Sequence, residues 1–264
     1  MGKLEGKVAL ITGASKGIGE GIADVYAKEG ANLILCARGE ETKQLCESLM
    51  KTYGIQAIFV KCDVSKKEDC DQAVRIALST FQTIDILVSN AGVCRLHTFL
   101  DAPQEDFDFH MNVNVRGAWN MAQAVLPIMK EKEYGKIVIM SSVTGYMVAD
   151  SGEVAYAMSK AALIGLTKAL AREFAPYHIN VNAICPGYVD TPMANSIALE
   201  SDGEHPERVK QAIADATPLA RLATPNEIGD LAAFLGSDES TYITGTQIVI
   251  DGGSTLPETL SVGV

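Results

Sequence analysis

Short runs of aliphatic and β-branched residues alternate with longer helical patterns through almost the whole of this 264-residue chain. The runs show little alternation of apolar and polar side chains, which is typical of strands buried on both faces. Parallel strands joined by helices have this burial, because the helices cover both faces of the sheet. The pattern therefore predicts a doubly wound α/β fold with a seven-stranded parallel sheet. The predicted strands are Val8 to Thr12, Asn32 to Cys36, Ile58 to Cys62, Ile86 to Ser89, Lys136 to Met140, Asn180 to Ile184 and Gln247 to Ile250.

The connections between these strands read as helices, with one exception. We expect residues 1–264 to form one domain, because α/β folds commonly reach this length as a single unit. The stretch at about 188–224 breaks the alternation, since it is polar and charged and has a helical pattern only from Glu207 to Ala216. An insertion at the carboxyl end of a strand is the usual place for a substrate lid. The predicted helices lie near 17–29, 40–53, 66–81, 105–132, 153–174 and 225–236.

The composition restricts the possible partners. Hydrophobic residues make up 47% of the chain, enough for a full core, and the formal net charge is −11. This charge disfavours nucleic acids and anionic membranes, both of which bind basic patches. The N-terminus lacks the pattern of a signal peptide, and we expect no apolar run near the ~20 residues that span a bilayer.

The cysteines and histidines predict neither a disulfide framework nor a metal site. No C-x-x-C occurs, and the four histidines share no ligand spacing. Reduced thiols in a cytoplasm are the simpler interpretation. The histidines are expected on the surface or in packing. The residues concerned are Cys36, Cys46, Cys62, Cys70, Cys94, Cys185, His97, His110, His178 and His205.

A glycine cluster follows the first predicted strand. The sequence T-G-A-S-K-G-I-G places Gly13, Gly17 and Gly19 between that strand and the first helix. Glycines allow a tight turn and a close approach of the backbone to a ligand, and the helix N-terminus offers N–H groups to a pyrophosphate. The spacing is G-x-x-x-G-x-G, which differs from the common G-x-G-x-x-G. Its position in a strand–turn–helix unit nevertheless predicts dinucleotide binding of the Rossmann type.

A second cluster runs from Ser142 to Lys160. If a helix begins near Glu153, Tyr156 and Lys160 lie four residues apart on one helical face. A phenol titrates near ~10, and a neighbouring ammonium favours the phenolate, which lowers the pKa toward neutral pH. Y-x-x-x-K also occurs in helices without any catalytic role, so the motif acquires its meaning from the other motifs in the chain.

The end of the second predicted strand indicates which dinucleotide binds. An acidic residue at this place bonds the adenine ribose of NAD, whereas basic residues accept the 2′-phosphate of NADP. Here Ala37 is followed by Arg38, and Lys16 lies in the glycine loop. Two cations and no carboxylate favour NADP(H) over NAD(H). Glu40 and Glu41 would weaken this preference if they turned inward, but we expect them to face solvent as first-turn helix residues.

The motifs, in this order and over nearly the whole chain, resemble those of the short-chain dehydrogenase/reductase family. They are T-G-A-S-K-G-I-G at Thr12 to Gly19, Asp63-Val64, N-A-G at Asn90 to Gly92, Asn114 in N-V-R-G, Ser142, Y-A-M-S-K at Tyr156 to Lys160, and P-G-Y-V-D-T at Pro186 to Thr191.

The resemblance implies a role for each matching residue. It implies that Tyr156 is the acid/base, and that Lys160 lowers its pKa and holds the nicotinamide ribose. It implies that Ser142 orients the substrate carbonyl and that Asn114 anchors the water of a proton relay. The implied cofactor-binding residues, with Asn90 and Thr191 flanking the cofactor and Asp63 at the adenine, are Gly13, Ser15, Lys16, Gly17, Ile18, Gly19, Arg38, Asp63, Val64, Asn90, Ala91, Gly92, Tyr156, Lys160, Pro186, Gly187, Val189 and Thr191.

Two features depart from the family pattern. Ser89 replaces the first asparagine of N-N-A-G, which affects only fine positioning. Ser142 and Tyr156 are 14 positions apart, one more than the family pattern. We expect the loop at about 147–152 to bulge and reshape the substrate pocket while leaving the catalytic geometry intact.

Neighbouring candidates have plainer interpretations. Ser141 precedes Ser142, but successive side chains of a strand point to opposite faces, so only one can face the ligand. Cys94 and Cys185 follow or end predicted strands, where they can line the site, although a buried cysteine usually packs as a small hydrophobe.

Three functions are compatible with these residues. The first is an NADP(H)-dependent carbonyl reductase or alcohol dehydrogenase acting on a small molecule. The second is a regulator that senses the nucleotide without turnover. Such a protein is expected to lack one of the residues Asn114, Ser142, Tyr156 and Lys160, but this chain has all four. The third is a 3-oxoacyl reductase acting on acyl carrier protein; the carrier is acidic, so a charge of −11 counts against it.

The resemblance also implies a homotetramer, or a homodimer. Its subunits would pack through the helices near 105–132 and 153–174 and through the last strand. The apolar segment after Gly253 is expected at such an interface.

Overall fold

A parallel sheet of seven strands, in the order β3-β2-β1-β4-β5-β6-β7, forms the centre of the computed structural model, which describes residues 2–256. This confirms the predicted fold. Each strand lies within two residues of its predicted bounds, because buried apolar runs of this kind have few alternatives. The strands are β1 Val8–Thr12, β2 Asn32–Ala37, β3 Ala57–Lys61, β4 Ile86–Ser89, β5 Gly135–Met140, β6 Ile179–Pro186 and β7 Gln247–Ile250.

Helices cover both faces of this sheet. Short 3₁₀ segments follow two of them, at Ala175–Tyr177 and Asp238–Ser240. The α-helices are α1 Ile18–Lys28, α2 Thr42–Tyr53, α3 Lys67–Phe81, α4 Gln104–His110, α5 Gly117–Glu131, α6 Val154–Phe174, α7 Pro192–Ser201, α8 Pro206–Ala216 and α9 Pro225–Gly236.

Two hydrophobic cores lie on opposite faces of the sheet. One contains side chains of α1, α2 and α9, including the fully buried Ile22 and Tyr26. The Tyr26 hydroxyl donates a hydrogen bond of 2.8 Å to the carbonyl oxygen of Ala232 and so joins α1 to α9. The other core contains α3, α5 and α6, with Met121 and Val125 fully buried. The strands are thus apolar on both faces.

The strand order reverses between β1 and β4, and this junction opens a crevice at the carboxyl edge of the sheet. The hydroxyl of Thr12, the last residue of β1, accepts hydrogen bonds of 3.0 Å from the backbone N–H groups of both Asn90 and Ala91. The side-chain amide of Asn90 donates a hydrogen bond of 3.0 Å to the Thr12 carbonyl oxygen. The crevice expected for a dinucleotide in a doubly wound fold therefore has fixed walls.

Two predicted helical regions differ in detail from the structure. The helix predicted at 105–132 is interrupted by a π-helical turn at Met111–Arg116, where the Gly117 N–H bonds to the carbonyl of Asn112, five residues back. Within 188–224, α8 matches the predicted helical middle, but α7 was not predicted. Thr191 caps α7 by accepting a bond of 3.2 Å from the Ala194 N–H, and Pro192 supplies its first residue.

The segment Val154–Tyr177 is long and apolar enough to cross a bilayer by length and composition alone, although Lys160, Lys168 and Arg172 interrupt it. It packs against β6, and it places Leu163 in one core and Ile164 in a smaller buried cluster beside β6. We therefore interpret this segment as a helix of the α/β fold, with one face packed in the hydrophobic core.

Candidate active site

The glycine loop takes backbone conformations that side chains rarely adopt. Gly13 has φ 65° and Gly17 has φ 59°, and α1 begins directly after Gly17. A Cβ on Gly19 would lie 2.2 Å from the Gly13 carbonyl oxygen and 2.7 Å from the Asn90 amide nitrogen, so any larger residue would displace the loop. This cradle fits the pyrophosphate of a dinucleotide at the N-terminus of α1.

One cleft of about 300 Å³ lies along the carboxyl edge of the sheet. Every residue of the predicted cofactor set lines it, and so does Ser142. Of the predicted site residues, only Asn114 does not. The lining also contains residues that were not predicted, namely Ala37, Cys62, Val93, Val113, Met140, Ser141, Val143, Thr144, Glu153, Tyr188, Pro192, Met193, Ala194 and Ile197.

At the β2 end of the cleft, Lys16 and Arg38 are both exposed to solvent and line the cavity. Neither side chain forms an ion pair within residues 2–256. Glu40 is turned away from them and pairs with Lys43 at 3.0 Å. Glu41 is exposed, as expected; its carboxylate lies close to Gly39 and does not line the cleft. The cationic pair thus remains available to a phosphate.

Asp63 has one carboxylate oxygen engaged. Its Oδ1 accepts hydrogen bonds from the Ser65 backbone N–H at 3.1 Å and from the Ser65 hydroxyl at 2.7 Å. These bonds hold the carboxyl group beside the cleft, at the end of β3.

Tyr156 and Lys160 lie one turn apart on α6, and both face the cleft. The Lys160 ammonium lies 5.6 Å from the centroid of the Tyr156 ring. It donates a hydrogen bond of 2.9 Å to the carbonyl oxygen of Met140, the last residue of β5. Helical spacing and this bond together fix the cation beside the phenol.

The pKa of the Tyr156 phenol shifts upward, the opposite of the direction predicted for a tyrosine beside a lysine. Burial is the largest cause, and the neighbouring Cys94 adds to it, while a hydrogen bond with Ser142 acts in the other direction. Burial also lowers the pKa of Lys160 to about 8. Desolvation thus disfavours the charged form of both groups.

The two adjacent serines have different partners, as strand alternation predicts. The Ser142 hydroxyl lies in the cleft, where it accepts a bond of 3.1 Å from the Thr144 N–H and can still donate. The Ser141 hydroxyl donates instead to the carbonyl of Lys160 at 2.8 Å. Ser142 is therefore the hydroxyl that a ligand can reach.

Asn114 lies in the π-helical turn and is 1% exposed. Its Oδ1 accepts from the Val93 N–H at 2.8 Å, and its Nδ2 donates to the Val93 carbonyl at 3.0 Å and to the Ser159 hydroxyl at 2.9 Å. The side chain is thus fully engaged in joining the loop after β4 to α6. Both amide protons are used in these bonds, so the side chain has no donor left for a water of a proton relay.

The segment between Ser142 and Tyr156 folds back on itself. The Val143 carbonyl accepts from the Met147 N–H at 2.8 Å, and the Gly145 N–H donates to the Val148 carbonyl at 2.8 Å. Gly145 has φ 84°, and a Cβ there would lie 2.1 Å from the carbonyl oxygen of Ala157. The predicted bulge at 147–152 therefore follows a tight turn that rests against α6.

Glu153 is the most informative residue that sequence reasoning missed. It is 6% exposed, lines the cleft, and precedes Tyr156 by three positions, so it shares the same side of the first helical turn. This spacing was a usable signal, but no motif distinguishes it.

The remaining candidates have packing roles or lie beside the site. Burial raises the pKa of Cys94 to about 12 and that of Cys185 to about 11, so both thiols hold their protons at neutral pH. His110 is fully buried, and its ring packs edge to face on Tyr156 with 6.4 Å between centroids. Within residues 2–256, no group of three or more His, Cys, Asp or Glu side chains is arranged to hold a metal ion.

Comparison with known proteins agrees with this fold and cleft. The family model described as "Enoyl-(Acyl carrier protein) reductase" matches residues 13–255. The chain belongs to the short-chain dehydrogenase/reductase family of oxidoreductases. It is similar to oxidoreductase UcpA of Salmonella typhimurium, with 60% identity over 264 residues and 100% coverage of both chains.

Two further relatives have more specific names. The chain is 38% identical to the 3-oxoacyl-acyl-carrier-protein reductase FabG of Thermotoga maritima over 256 residues, which are 95% of this chain and 98% of that one. The solved structure of L-sorbose reductase from Gluconobacter frateurii, complexed with NADPH and L-sorbose, matches with a TM-score of 0.91 and 34% identity, covering 97% of this chain and 99% of that one.

Proposed function

We propose that this protein is an NADP(H)-dependent oxidoreductase that interconverts a small carbonyl compound and the corresponding secondary alcohol. The observation that carries the proposal is the placement of Tyr156 and Lys160 in the same cleft as the glycine cradle of α1. A phosphate site and an acid–base pair in one cavity suit hydride transfer between a nicotinamide and a carbonyl carbon.

Each residue of the site has a separate role in the proposed reaction. A bound nicotinamide supplies or accepts the hydride. Ser142 and Tyr156 donate hydrogen bonds to the substrate oxygen and hold it in place. During reduction, the proton on the Tyr156 oxygen moves to that oxygen as it becomes an alkoxide, and the nearby Lys160 ammonium stabilises the phenolate left behind.

The direction of the pKa shift at Tyr156 fits an acid. Burial raises the pKa of the phenol, so the residue holds its proton at neutral pH and is ready to protonate a developing alkoxide. Lys160, with a pKa of about 8, is predominantly charged at pH 7 and can attract the phenolate when it forms. Reduction is therefore the direction that needs no prior change of protonation.

The preference for NADP(H) rests on the cations at the β2 end of the cleft. Arg38 is free to form charge-assisted bonds with a 2′-phosphate, and Lys16 lies in the adjacent loop. No carboxylate takes the position at the end of β2 that would bond the ribose of NAD.

A second candidate is reduction of 3-oxoacyl groups on acyl carrier protein, which the 38% identity to FabG favours. The charge of −11 would repel an acidic carrier. A third, nucleotide sensing without turnover, has the weakest support, because Asn114, Ser142, Tyr156 and Lys160 are all present.

The deciding experiment measures NADPH oxidation by the purified protein with a panel of ketones, sugars and 3-oxoacyl thioesters. We expect turnover with a ketone or sugar. Turnover only with thioesters would establish the second candidate, and tight NADPH binding without any turnover would establish the third.

We further propose that the chain is one domain in which 188–224 covers the substrate, and that it acts in the cytoplasm as a homotetramer or homodimer. In support, residues of α7 line the cleft, and the six cysteines are unpaired. A groove of about 490 Å³ between α5 and α6 contains Trp119, which is 55% exposed, and suits subunit packing. Residues 257–264, which contain most of the predicted C-terminal contact, lie outside the described residues.

A further inference from the structure

Glu153 is a buried carboxyl group in the cleft that the proposed hydride and proton transfers do not use. Its Oε2 is shielded from solvent and has no hydrogen-bond partner within residues 2–256. Glu153 lines the cleft, so a rotation of its carboxyl group brings this unpartnered oxygen within reach of a donor on a bound ligand, which would satisfy it. The unpartnered Glu153 oxygen therefore indicates a ligand that carries a hydrogen-bond donor.

The groups around Glu153 do not meet this need. The neighbouring Tyr188 hydroxyl donates to Asp150 at 3.2 Å, so its proton is already committed. Burial raises the pKa of Glu153 and the charge of Asp150 adds to the rise, while a hydrogen bond from Thr144 acts in the opposite direction. This part of the cleft is acidic and holds few unused donors.

The charges that line the cleft are separated along the sheet. Glu153 and Lys160 follow β5, and Lys160 is bonded to the Met140 carbonyl. The other lining cations among the described residues, Lys16 and Arg38, follow β1 and β2. Since β5 lies three strand spacings from β2 and two from β1, roughly 14 Å and 10 Å, Arg38 and Lys16 lie toward the other end of the cleft from Glu153.

We propose that Glu153 determines substrate choice by accepting a hydrogen bond from a hydroxyl group near the reacting carbonyl of an uncharged substrate. This inference rests on the proposed carbonyl-reductase function. The preferred substrates are then neutral hydroxyketones, including ketoses. Keto acids are disfavoured, because their carboxylate would meet the carboxyl of Glu153, and plain ketones lack the donor.

The test uses three carbonyl compounds of similar size with NADPH: 1-hydroxybutan-2-one, pentan-2-one and 2-oxobutanoate. For the wild-type protein we expect the kcat/KM for the hydroxyketone to exceed that for pentan-2-one at least tenfold. In Glu153→Met, which keeps the length of the side chain and removes the acceptor, this ratio should fall by about tenfold to a hundredfold. A wild-type ratio near one, or an unchanged ratio in the variant, overturns the proposal.

A second variant and a control separate the possible causes. Glu153→Gln removes the charge and keeps the shape, and it should raise the rate with 2-oxobutanoate relative to pentan-2-one at least fivefold; an unchanged ratio counts against the role even if Glu153→Met fails to fold. Glu47→Gln is the control, because Glu47 is exposed on α2 and does not line the cleft. It should leave both ratios as in wild type.

The two proposals fail in different ways. If wild-type protein binds NADPH, measured by fluorescence titration, but oxidises it with no carbonyl compound, the reductase function itself is lost and the role of Glu153 with it. If it reduces pentan-2-one or 2-oxobutanoate but not hydroxyketones, the reductase function stands and the role of Glu153 is refuted.

Discussion

The Lys160 ammonium lies 5.6 Å from the centroid of the Tyr156 ring, and its hydrogen bond to the Met140 carbonyl ties it to the end of β5. The helix thus supplies the spacing of the pair, and the sheet fixes the cation. Because burial disfavours the charge on each group, the site holds a neutral phenol beside a lysine whose pKa is about 8. This arrangement leads directly to two of the predictions that follow.

Tyr156→Phe should lower kcat by at least ~100-fold, because positioned acid–base groups contribute ~10²–10⁴. The dissociation constant for NADPH should stay within about twofold, since the ring and the glycine loop remain. Tyr53→Phe serves as the control: within residues 2–256 the hydroxyl of Tyr53, on α2, bonds only to Asp24 on α1, at 2.8 Å, and the variant should keep wild-type kcat. A Tyr156→Phe protein that retained more than a tenth of wild-type kcat would remove Tyr156 from its role.

Lys160→Met should stabilise the fold at neutral pH while abolishing turnover. Burial lowers the pKa of Lys160 to about 8, whereas a lysine in an unfolded chain titrates near ~10.4. Between these values the unfolded wild-type chain binds more protons than the folded one, so its free energy of unfolding rises with pH. The charged, buried ammonium is therefore destabilising below pH 8.

Thermal unfolding at several pH values measures this effect. The melting temperature of Lys160→Met should exceed that of wild type at pH 7, and the difference should shrink by pH ~10. Lys51→Met, at an exposed lysine on α2, should show a difference that does not vary with pH. A constant difference for Lys160→Met would mean that the buried charge does not limit stability.

Arg38→Ala should weaken NADPH binding by about tenfold to a hundredfold and change NADH binding little, because one charge-assisted pair to a 2′-phosphate is worth ~1.5–3 kcal/mol. Fluorescence titration with each cofactor gives the ratio. Arg75→Ala is the matched control, since this exposed arginine on α3 bonds only to Gln72 among the residues that the structure describes. Equal affinities for the two cofactors in wild type would refute the assignment.

Trp119→Glu should convert the proposed oligomer to smaller species at micromolar concentration, because it places a charge in the apolar groove between α5 and α6. Light scattering measures the mass. Phe99→Glu, which changes an aromatic residue that is 70% exposed on a loop, should leave the mass unchanged. A monomeric mass for the wild-type protein would exclude both the tetramer and the dimer.

The five inner strands were predictable because each is an apolar run buried on both faces, and the partly buried edge strands β3 and β7 keep the same apolar run. Helix α7 was not, because P-M-A-N-S-I-A-L-E-S has no clear apolar stripe and depends on Pro192 and the Thr191 cap. The π-helical turn at Met111–Arg116 was also beyond prediction, since its one-residue shift in hydrogen bonding leaves no trace in the pattern of apolar residues.

Some features of the candidate site were likewise predictable from the sequence, and others were not. The predicted cofactor-binding residues could be named from the motifs, because most of the motifs follow the carboxyl end of a strand; the other lining residues belong to no motif. The sign of the pKa shift at Tyr156 could not, since it depends on how deeply three-dimensional packing buries the phenol. Glu153 was missed for a related reason: a carboxyl group becomes notable only when its surroundings leave it without a donor.

The contact between Gly145 and Ala157 has a practical meaning for protein engineering. Gly145 and Ala157 lie close together, so the residues between them form a loop with fixed ends beside the cleft. Lengthening such a loop destabilises the fold little, since each doubling of loop length adds only ~0.6 kcal/mol to the free energy of loop closure. Loop grafts between residues 146 and 152 can therefore change this wall of the cleft while α6, which carries Tyr156 and Lys160, keeps its place.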